Sequence, residues 1–261
     1  MTGAAMTGVA TAGVAKTGVE LRPLVFLDLD DTVFQTRRKN ADAAVVGAVD
    51  RHGAPLSFMT PGQVALVNWL QATTQVVPTT GRSTEALDRV QVPFRHGAIC
   101  SFGGVIRRPD GTPDPAWHTR LADLAAAAAP DLFAIAEAVA ARAAATNLDI
   151  RHRVIVDADL PLYLSVKHNQ YDAAALAPLA PWLRGLLADG WRVHLNGNNL
   201  AVMPPFLDKA HAVRWFRDHI AGPHPFALGL GDSLSDRDYL LACDIAAVPA
   251  ASQLATRLTG V

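Results

Sequence analysis

Two short apolar runs that end abruptly in carboxylates constrain the fold of this chain more than any other feature. The first, residues 24–29, contains Asp28 and is followed at once by Asp30. The second, residues 226–230, is followed closely by Asp232. Short apolar runs bounded by glycine and polar residues are typical of buried parallel strands. Because open α/β sheets bind ligands beyond the carboxyl ends of their strands, we expect Asp28, Asp30 and Asp232 to meet at one edge of a sheet.

The same three acids suit one hard cation. Magnesium is bound in proteins by one or two carboxylates, and water and substrate phosphate complete its coordination. The chain also has nine histidines, but they lack the compact spacing of zinc ligands. The sequence therefore predicts a magnesium site.

The order of predicted elements divides the chain into a core and an insert. Strand and helix patterns alternate up to residue 106 and again after residue 204, which predicts a Rossmann-like, doubly wound parallel sheet. Between them the pattern changes to one long helix, two strands, a helix and two strands. Pro130 is expected to kink or break the long helix, and Asn-Gly-Asn-Asn at 196–199 is typical of a hairpin turn. The predicted parts are a flexible tail at 1–22, an α/β core at 23–106 and 204–261, and an inserted α+β domain of αββαββ order at 107–203.

Four segments, in order, resemble the motifs of the haloacid dehalogenase superfamily of phosphohydrolases. The resemblance covers nearly the whole chain after the first twenty or so residues. Two departures are visible: Ser235 stands where many relatives have Asn, and Asp31 adds a third carboxylate to the first motif. The residues that carry the resemblance are Asp28, Asp30 and Thr32 of a D-x-D-x-T pattern, Thr80 of Thr79-Thr80-Gly81-Arg82, Lys209 of Asp208-Lys209-Ala210, and Asp232 and Asp236 of a G-D-x-x-x-D pattern.

The resemblance implies a role for each core residue. Asp28 would attack phosphorus and form an aspartyl-phosphate. Asp30 would protonate the leaving group and then deprotonate the attacking water, and its backbone carbonyl would be a magnesium ligand. The Thr80 hydroxyl and the Lys209 ammonium would bind phosphate oxygens.

The roles of the remaining acids are less narrowly defined by the motifs. Asp232 would be the acidic magnesium ligand from the second strand, whereas Asp236 would either hold a metal-bound water or orient Lys209. Asp31 and Asp236 have a competing interpretation as local caps, and Asp208 is first of all the expected N-cap of its helix. The predicted metal-binding residues are Asp28, Asp30, Asp232 and Asp236.

The insert resembles the family's type IIB cap in its smallest form. Relatives with that cap are mostly sugar-phosphate phosphatases, including those that act on sucrose, trehalose and mannosylglycerate phosphates. Lysine and amide side chains match the hydroxyls and phosphates of such substrates, but Asn is also an ordinary turn residue, and a lysine is often a solvent-facing charge. The predicted substrate-binding residues are Thr80, Gly81 and Arg82 at the core–cap seam and Lys167, Asn169, Asn198 and Asn199 in the cap.

Composition excludes several other classes. A formal net charge of −1 gives no nucleic-acid-binding face. The Ala-rich stretch at 121–145 is interrupted by charged residues, so a membrane span is not expected. Two distant cysteines suit a reducing cytoplasm. The first twenty residues lack the pattern of a signal peptide, and Met6 is an alternative start to Met1.

The leading prediction is a cytoplasmic, magnesium-dependent phosphatase of a small phosphorylated metabolite, with a sugar phosphate as the expected substrate. A sugar phosphomutase of the same superfamily is the enzymatic alternative. From another class, a phosphorylation-controlled signalling module also combines paired acids, a Thr and a Lys on a doubly wound sheet, but it is much shorter and has no such insert. An inactive binding protein is a further alternative, although no essential residue is missing.

Overall fold

A computed structural model describes residues 21–258, so the tail predicted for 1–22 falls almost entirely outside the described residues. The strands are β1 (Leu24–Leu27), β2 (Val45–Val49), β3 (Pro55–Met59), β4 (Gln75–Pro78), β5 (Ala98–Cys100), β6 (Val105–Arg107), β7 (Ile150–Asp157), β8 (Leu160–His168), β9 (Arg192–Asn196), β10 (Asn199–Met203), β11 (Ala227–Leu230) and β12 (Ile245–Ala247). The helices are α1 (Pro61–Thr73), α2 (Thr84–Leu87), α3 (Pro115–Thr146), α4 (Ala173–Leu176), α5 (Leu179–Leu186), α6 (Lys209–His219), α7 (Arg237–Leu240) and α8 (Gln253–Leu258).

The core is a parallel sheet in the order β12-β11-β1-β4. A parallel bridge between Thr79 and Ile99 brings β5 beside the end of β4. All four residues of β1 are buried, as expected for a central strand covered on both faces. Helix α1 begins with a capping box: the Thr60 hydroxyl accepts from the backbone N–H of Gln63, and the Gln63 side chain accepts from the N–H of Thr60.

The antiparallel hairpin of β2 and β3 was not predicted from the sequence. It pairs Val45 with Met59 and Val46 with Phe58, and its register shifts between Val46 and Ala48. The signal is present in two apolar runs separated by Asp50-Arg51-His52-Gly53, with Gly53 at a φ of +80°. A Cβ at Gly47 would lie 2.9 Å from the Phe34 side chain, so the hairpin packs closely on the segment that follows β1.

A second sheet, antiparallel and in the order β7-β8-β10-β9, contains the strands of the predicted insert. The elements between residues 115 and 203 follow the expected sequence, except that the second helical segment is divided into α4 and α5 around Pro178. One face of this sheet packs on α3 and α5 through a hydrophobic cluster that includes Leu164, Val166 and Leu200. Its other face is turned towards the core, since Tyr163 Oη donates to the backbone oxygen of Gly81 at 2.8 Å.

The long helix α3 is continuous through Pro130, so a break there is wrong, and the alternative of a kink stays a prediction. Pro130 is exposed and lies opposite the packed stripe, where water can reach the carbonyl that the proline leaves without a partner. By length and composition α3 is the one helix among residues 21–258 that could cross a membrane. The expectation that its charged residues exclude a membrane span is therefore wrong. Its buried residues recur at helical spacing and pack in the two hydrophobic clusters of the protein, which accounts for the apolar stripe: Trp117, Leu121, Ala125, Leu132, Ile135, Val139 and Ala143.

Candidate active site

A buried lysine between two aspartates forms the centre of the candidate site. Lys209 Nζ donates to Asp28 Oδ1 at 2.8 Å and to Asp236 Oδ1 at 2.6 Å. Burial lowers the pKa of Lys209, but the charges of Asp236 and Asp28 outweigh burial and raise the pKa above its ordinary value. Lys209 is therefore a permanent positive charge beside the carboxylate of Asp28.

The parallel pairing of β1 with β11 places Asp28 and Asp232 side by side. The register aligns Leu27 with Leu230, and the backbone N–H of Asp28 donates to the carbonyl of Leu230 at 2.8 Å. Gly231 is needed between them, because a Cβ there would lie 2.6 Å from Tyr239 Oη and 2.7 Å from the Cβ of Asp236. The fold thus brings Asp28 and Asp232 together as predicted, whereas Asp30, the third acid of that prediction, is not part of the cluster.

Three buried carboxylates form a set that suits a cation. One oxygen from each of Asp28, Asp232 and Asp236 lies within 4.8 Å of the others. Burial raises the pKa of Asp28 well above its ordinary value, and Asp236 and Asp232 raise it further. Burial, Asp236 and Asp31 raise the pKa of Asp232 to about 7. With one lysine among three acids, these oxygens fit a divalent ion, whose charge would offset their repulsion.

Asp236 holds the lysine and its own loop in place. Its Oδ2 accepts from the N–H groups of Asp232 and Ser233, at 3.1 and 2.9 Å, and from Ser233 Oγ at 2.9 Å. Since Oδ1 already accepts from Lys209, both oxygens are engaged. Of the two roles left open for Asp236, this geometry favours the orientation of Lys209. Asp208 caps α6 as predicted, with its carboxylate accepting from the N–H of Ala210 at 2.6 Å.

Asp30 lies outside the carboxylate cluster and is bound by Arg82. Arg82 Nε and Nη2 each donate to one Asp30 oxygen at 2.7 Å, and the guanidinium lies 4.9 Å from the centre of the Phe34 ring. The side chain of Asp30 is half exposed, whereas that of Arg82 is largely buried. The structure thus pairs two residues that were predicted for separate roles.

The second motif forms a tight turn against Phe102. The Thr80 hydroxyl accepts from the backbone N–H of Arg82 at 3.1 Å, which leaves its own hydrogen for a ligand. A Cβ at Gly81 would lie 2.5 Å from the Phe102 ring, so only glycine fits there. Phe102 itself adopts a φ of +55°, uncommon for a bulky side chain.

Phe102 and His194 are site residues that the sequence reasoning missed. Phe102 lies 5.9 Å from Lys209 Nζ and packs edge-on against Tyr163 and His194. With Lys209 and Ser235, the two line a cavity of about 390 Å³ between the second sheet and the core. Burial and the charge of Lys209 lower the pKa of His194 to about 4. The signal available in the sequence was the turn Ser101-Phe102-Gly103-Gly104, which gives no indication of what its aromatic ring contacts.

The predicted cap residues differ in how free their side chains are. Asn198 Oδ1 accepts from the backbone N–H of His168, and Asn198 Nδ2 donates to the backbone oxygen of His168, each at 3.0 Å. Asn169 donates to Asp149 at 2.7 Å and accepts from Arg151 at 3.0 Å. These bonds favour the competing structural role for both amides. Asn199 is exposed at the start of β10, and Lys167 lies near enough to Asp30 and Arg82 of the core for their charges to act on its pKa.

Known structures share this fold. Sucrose-phosphatase from Synechocystis sp., solved with sucrose and phosphate, aligns with a TM-score of 0.54 at 15% identity over 92% of this chain and 96% of that chain. The C-terminal domain of trehalose-6-phosphate phosphatase from C. albicans gives 0.53 at 16% identity over 85% and 74%. A protein from Thermoplasma acidophilum gives 0.52 at 13% identity over 91% and 89%. The predicted fold class, an α/β core with an additional antiparallel sheet, is confirmed. The sequence matches no protein-family model and no curated protein.

Proposed function

We propose that this protein is a magnesium-dependent phosphatase that hydrolyses a small phosphorylated metabolite, a sugar phosphate, through an aspartyl-phosphate. One observation carries the proposal. A strand-end carboxylate, Asp28, lies 2.8 Å from the ammonium of Lys209 inside a buried acidic cluster, at the sheet edge where α/β folds bind ligands. The four motif segments that resemble phosphohydrolases converge on this point, in a fold shared with two named sugar-phosphate phosphatases.

Asp28 is the proposed nucleophile. Its carboxylate oxygen forms a bond to phosphorus, the bond from phosphorus to the ester oxygen breaks, and the leaving oxygen takes a proton. Water then attacks phosphorus, releasing inorganic phosphate and restoring the carboxylate. Lys209 stabilises the negative charge on the transferring group, and Thr80 is free to donate its hydroxyl hydrogen to a phosphate oxygen.

Asp28 and Asp232 are the proposed ligands of a magnesium ion, together with the backbone carbonyl of Asp30. When bound, such an ion shields the repulsion between a carboxylate nucleophile and a phosphate dianion. Asp236 contributes by fixing Lys209, because both of its oxygens are already engaged.

Asp30 is the proposed acid and base. In the present conformation it forms an ion pair with Arg82, so it becomes available only when the guanidinium finds another anion. A substrate phosphate is a suitable one, since Arg binds phosphate oxygens in the same bidentate manner as a carboxylate. Substrate binding would then free the Asp30 carboxyl for proton transfer.

The insert, proposed as residues 107–203, would act as the cap that selects the leaving group. The cavity beside Lys209 and His194 lies between it and the core, which suits a small, polar ester. Both cysteines are free thiols, and Cys100 is buried, in keeping with the reducing cytoplasm proposed for this protein.

The test is a phosphate-release screen. Purified protein is incubated with magnesium and a panel of sugar phosphates, other metabolite esters and p-nitrophenyl phosphate, and inorganic phosphate is measured. We expect release from a subset of sugar phosphates, no isomerised product and no release by the Asp28→Asn variant. Equal turnover by that variant would overturn the proposed nucleophile, and no release from any ester would overturn the phosphatase function.

A further inference from the structure

The core-facing side of the second sheet carries a group of cations on its edge strand β7 and on the neighbouring strand β8. Strand pairing sets Arg151 opposite Lys167 and Arg153 opposite Ser165. These residues share a face with Tyr163, which bonds to Gly81 of the core, whereas Leu164 and Val166 on the other face are buried in the cap. Like charges directly opposite each other on a sheet are destabilising, so the pairing of Arg151 with Lys167 lowers the free energy of unfolding.

Little negative charge offsets these cations. Among residues 21–258, no carboxylate lies within 4.0 Å of a nitrogen of Lys167 or Arg153. Burial lowers the pKa of Lys167, Asp30 raises it, and Arg151, Arg82 and Arg153 lower it. Both carboxylate oxygens of Asp30 already accept hydrogen bonds from Arg82. The seam between core and cap therefore carries an excess of positive charge.

Neither Lys167 nor Arg153 lines the cavity beside Lys209 and His194. His194, on β9, lines the cavity together with Lys209. In the order β7-β8-β10-β9, the strand of Arg153 is three strand spacings from that of His194, or about 14 Å at about 4.8 Å per spacing. Lys167 is near enough to Asp30 for their charges to interact, so a ligand that contacted Arg153 as well would extend from that side of the site along the sheet, as the leaving part of a substrate would.

We propose that the substrate carries a second anionic group, a carboxylate or another phosphate, on its leaving part, and that Lys167 and Arg153 bind it. The inference rests on the proposed phosphatase function and narrows its substrate class from neutral sugar phosphates to doubly anionic ones. Arg153 supplies a planar fork that matches either anion, and Lys167 supplies a compact charge. Arg151 already donates to Asn169 and lies over the Tyr171 ring. We therefore expect it to attract the second anion by its charge and not by a direct hydrogen bond.

The experiment compares esters that differ in one anionic group. Glucuronic acid 1-phosphate and glucose 1,6-bisphosphate are set against glucose 1-phosphate, and kcat/KM is measured for wild type, Lys167→Met and Arg153→Met. We expect wild type to prefer at least one doubly anionic ester, and each variant to lower that preference about tenfold, as the loss of one charge-assisted hydrogen bond predicts. Arg142→Met, on the exposed side of α3, is the matched loss of one positive charge and should leave the ratio unchanged.

A binding measurement separates this inference from the phosphatase function. Calorimetry with the Asp28→Asn protein follows the same three esters without requiring turnover. Tighter binding of a doubly anionic ester, lost in Asp28→Asn/Lys167→Met, would support the second anion site even if no ester is hydrolysed. Two results would overturn it: no preference for either doubly anionic ester in rate and binding, or an equal loss on all three esters in the Lys167 and Arg153 variants, which would assign the cations to the transferred phosphoryl group.

Discussion

Arg82 binds Asp30 through two parallel hydrogen bonds of 2.7 Å, one from Nε and one from Nη2. Burial raises the pKa of Asp30, but the charge and hydrogen bonds of Arg82 outweigh it, and the pKa lies below its ordinary value. In this conformation Asp30 is therefore an anion at neutral pH and not a proton donor. The pair keeps the proposed acid inactive until a ligand takes over the guanidinium.

Replacing Arg82 tests that relationship directly. In Arg82→Met we expect the pKa of Asp30 to rise, because the charge and hydrogen bonds of the guanidinium no longer lower it. Arg82→Lys keeps the charge and loses the fork, so it should give an intermediate pKa. Carboxyl-detected NMR titration of Asp30 measures both. An unchanged pKa in the Met variant would show that the pair is absent in solution.

Asp28→Asn should abolish turnover while the fold is kept. An amide is a poor nucleophile, and the loss of a residue that forms the intermediate costs on the order of a thousandfold or more in kcat. Because Asp28 is a buried carboxylate close to two others, we expect a melting temperature equal to or above that of wild type. Asp131→Asn on the exposed side of α3 is the control for a lost charge. Retention of most activity in Asp28→Asn would exclude this residue as the nucleophile.

Magnesium should stabilise the folded protein through Asp232. A ligand that binds only the native state at a hundred times its Kd adds about 2.7 kcal/mol to the free energy of unfolding. We expect the melting temperature of wild type to rise with magnesium and that of Asp232→Asn to change much less. Sodium chloride at matched ionic strength controls for screening, and an equal rise in both proteins would place the ion elsewhere.

Activity should also be lost on chelation and return with magnesium, with calcium inhibitory because it favours more ligands and looser geometry.

His194 should make the protein sensitive to mild acid. Its folded pKa of about 4 lies below the ordinary value of 6.5, so the unfolded chain takes up the proton first as pH falls. Folding is therefore progressively weakened from about pH 6.5 down to about pH 4, and the loss is absent above that window. Chemical denaturation at pH 7 and pH 5 should show a smaller loss for His194→Gln than for wild type. His211→Gln, on the exposed side of α6, should lose as much as wild type does.

The core of the site was predictable because its residues follow directly from local patterns. Asp28 and Asp232 end strands that must pair in parallel, and the sheet edge then brings them together. Lys209 opens a helix whose cap, Asp208, is also readable from the sequence. For such residues a strand end or a helix start fixes the position of the side chain, with little help from distant contacts.

The rest depends on packing between distant segments. The role of Phe102 results from a left-handed backbone and from its contact with Gly81 and Tyr163, and neither appears in a pattern of apolar residues. Asn198 was predicted as a ligand residue from its chemistry, yet its hydrogen bonds to His168 serve the turn. The pairing of Arg82 with Asp30 likewise joins residues fifty-two positions apart.

The continuous helix α3 has a mechanical consequence. Its first half packs in the core cluster through Trp117 and Leu121, and its second half packs in the cap cluster through Leu132 and Val139. At about 1.5 Å per residue, its 32 residues form a rod that is part of both bodies. The proposed cap could not swing away on loops alone, because its motion would either bend this rod or pull one end out of its cluster. Pro130 removes one hydrogen bond from the ladder between the two halves, so we expect any bending of this rod to occur at that residue, more than seventy positions before the proposed end of the insert at 203.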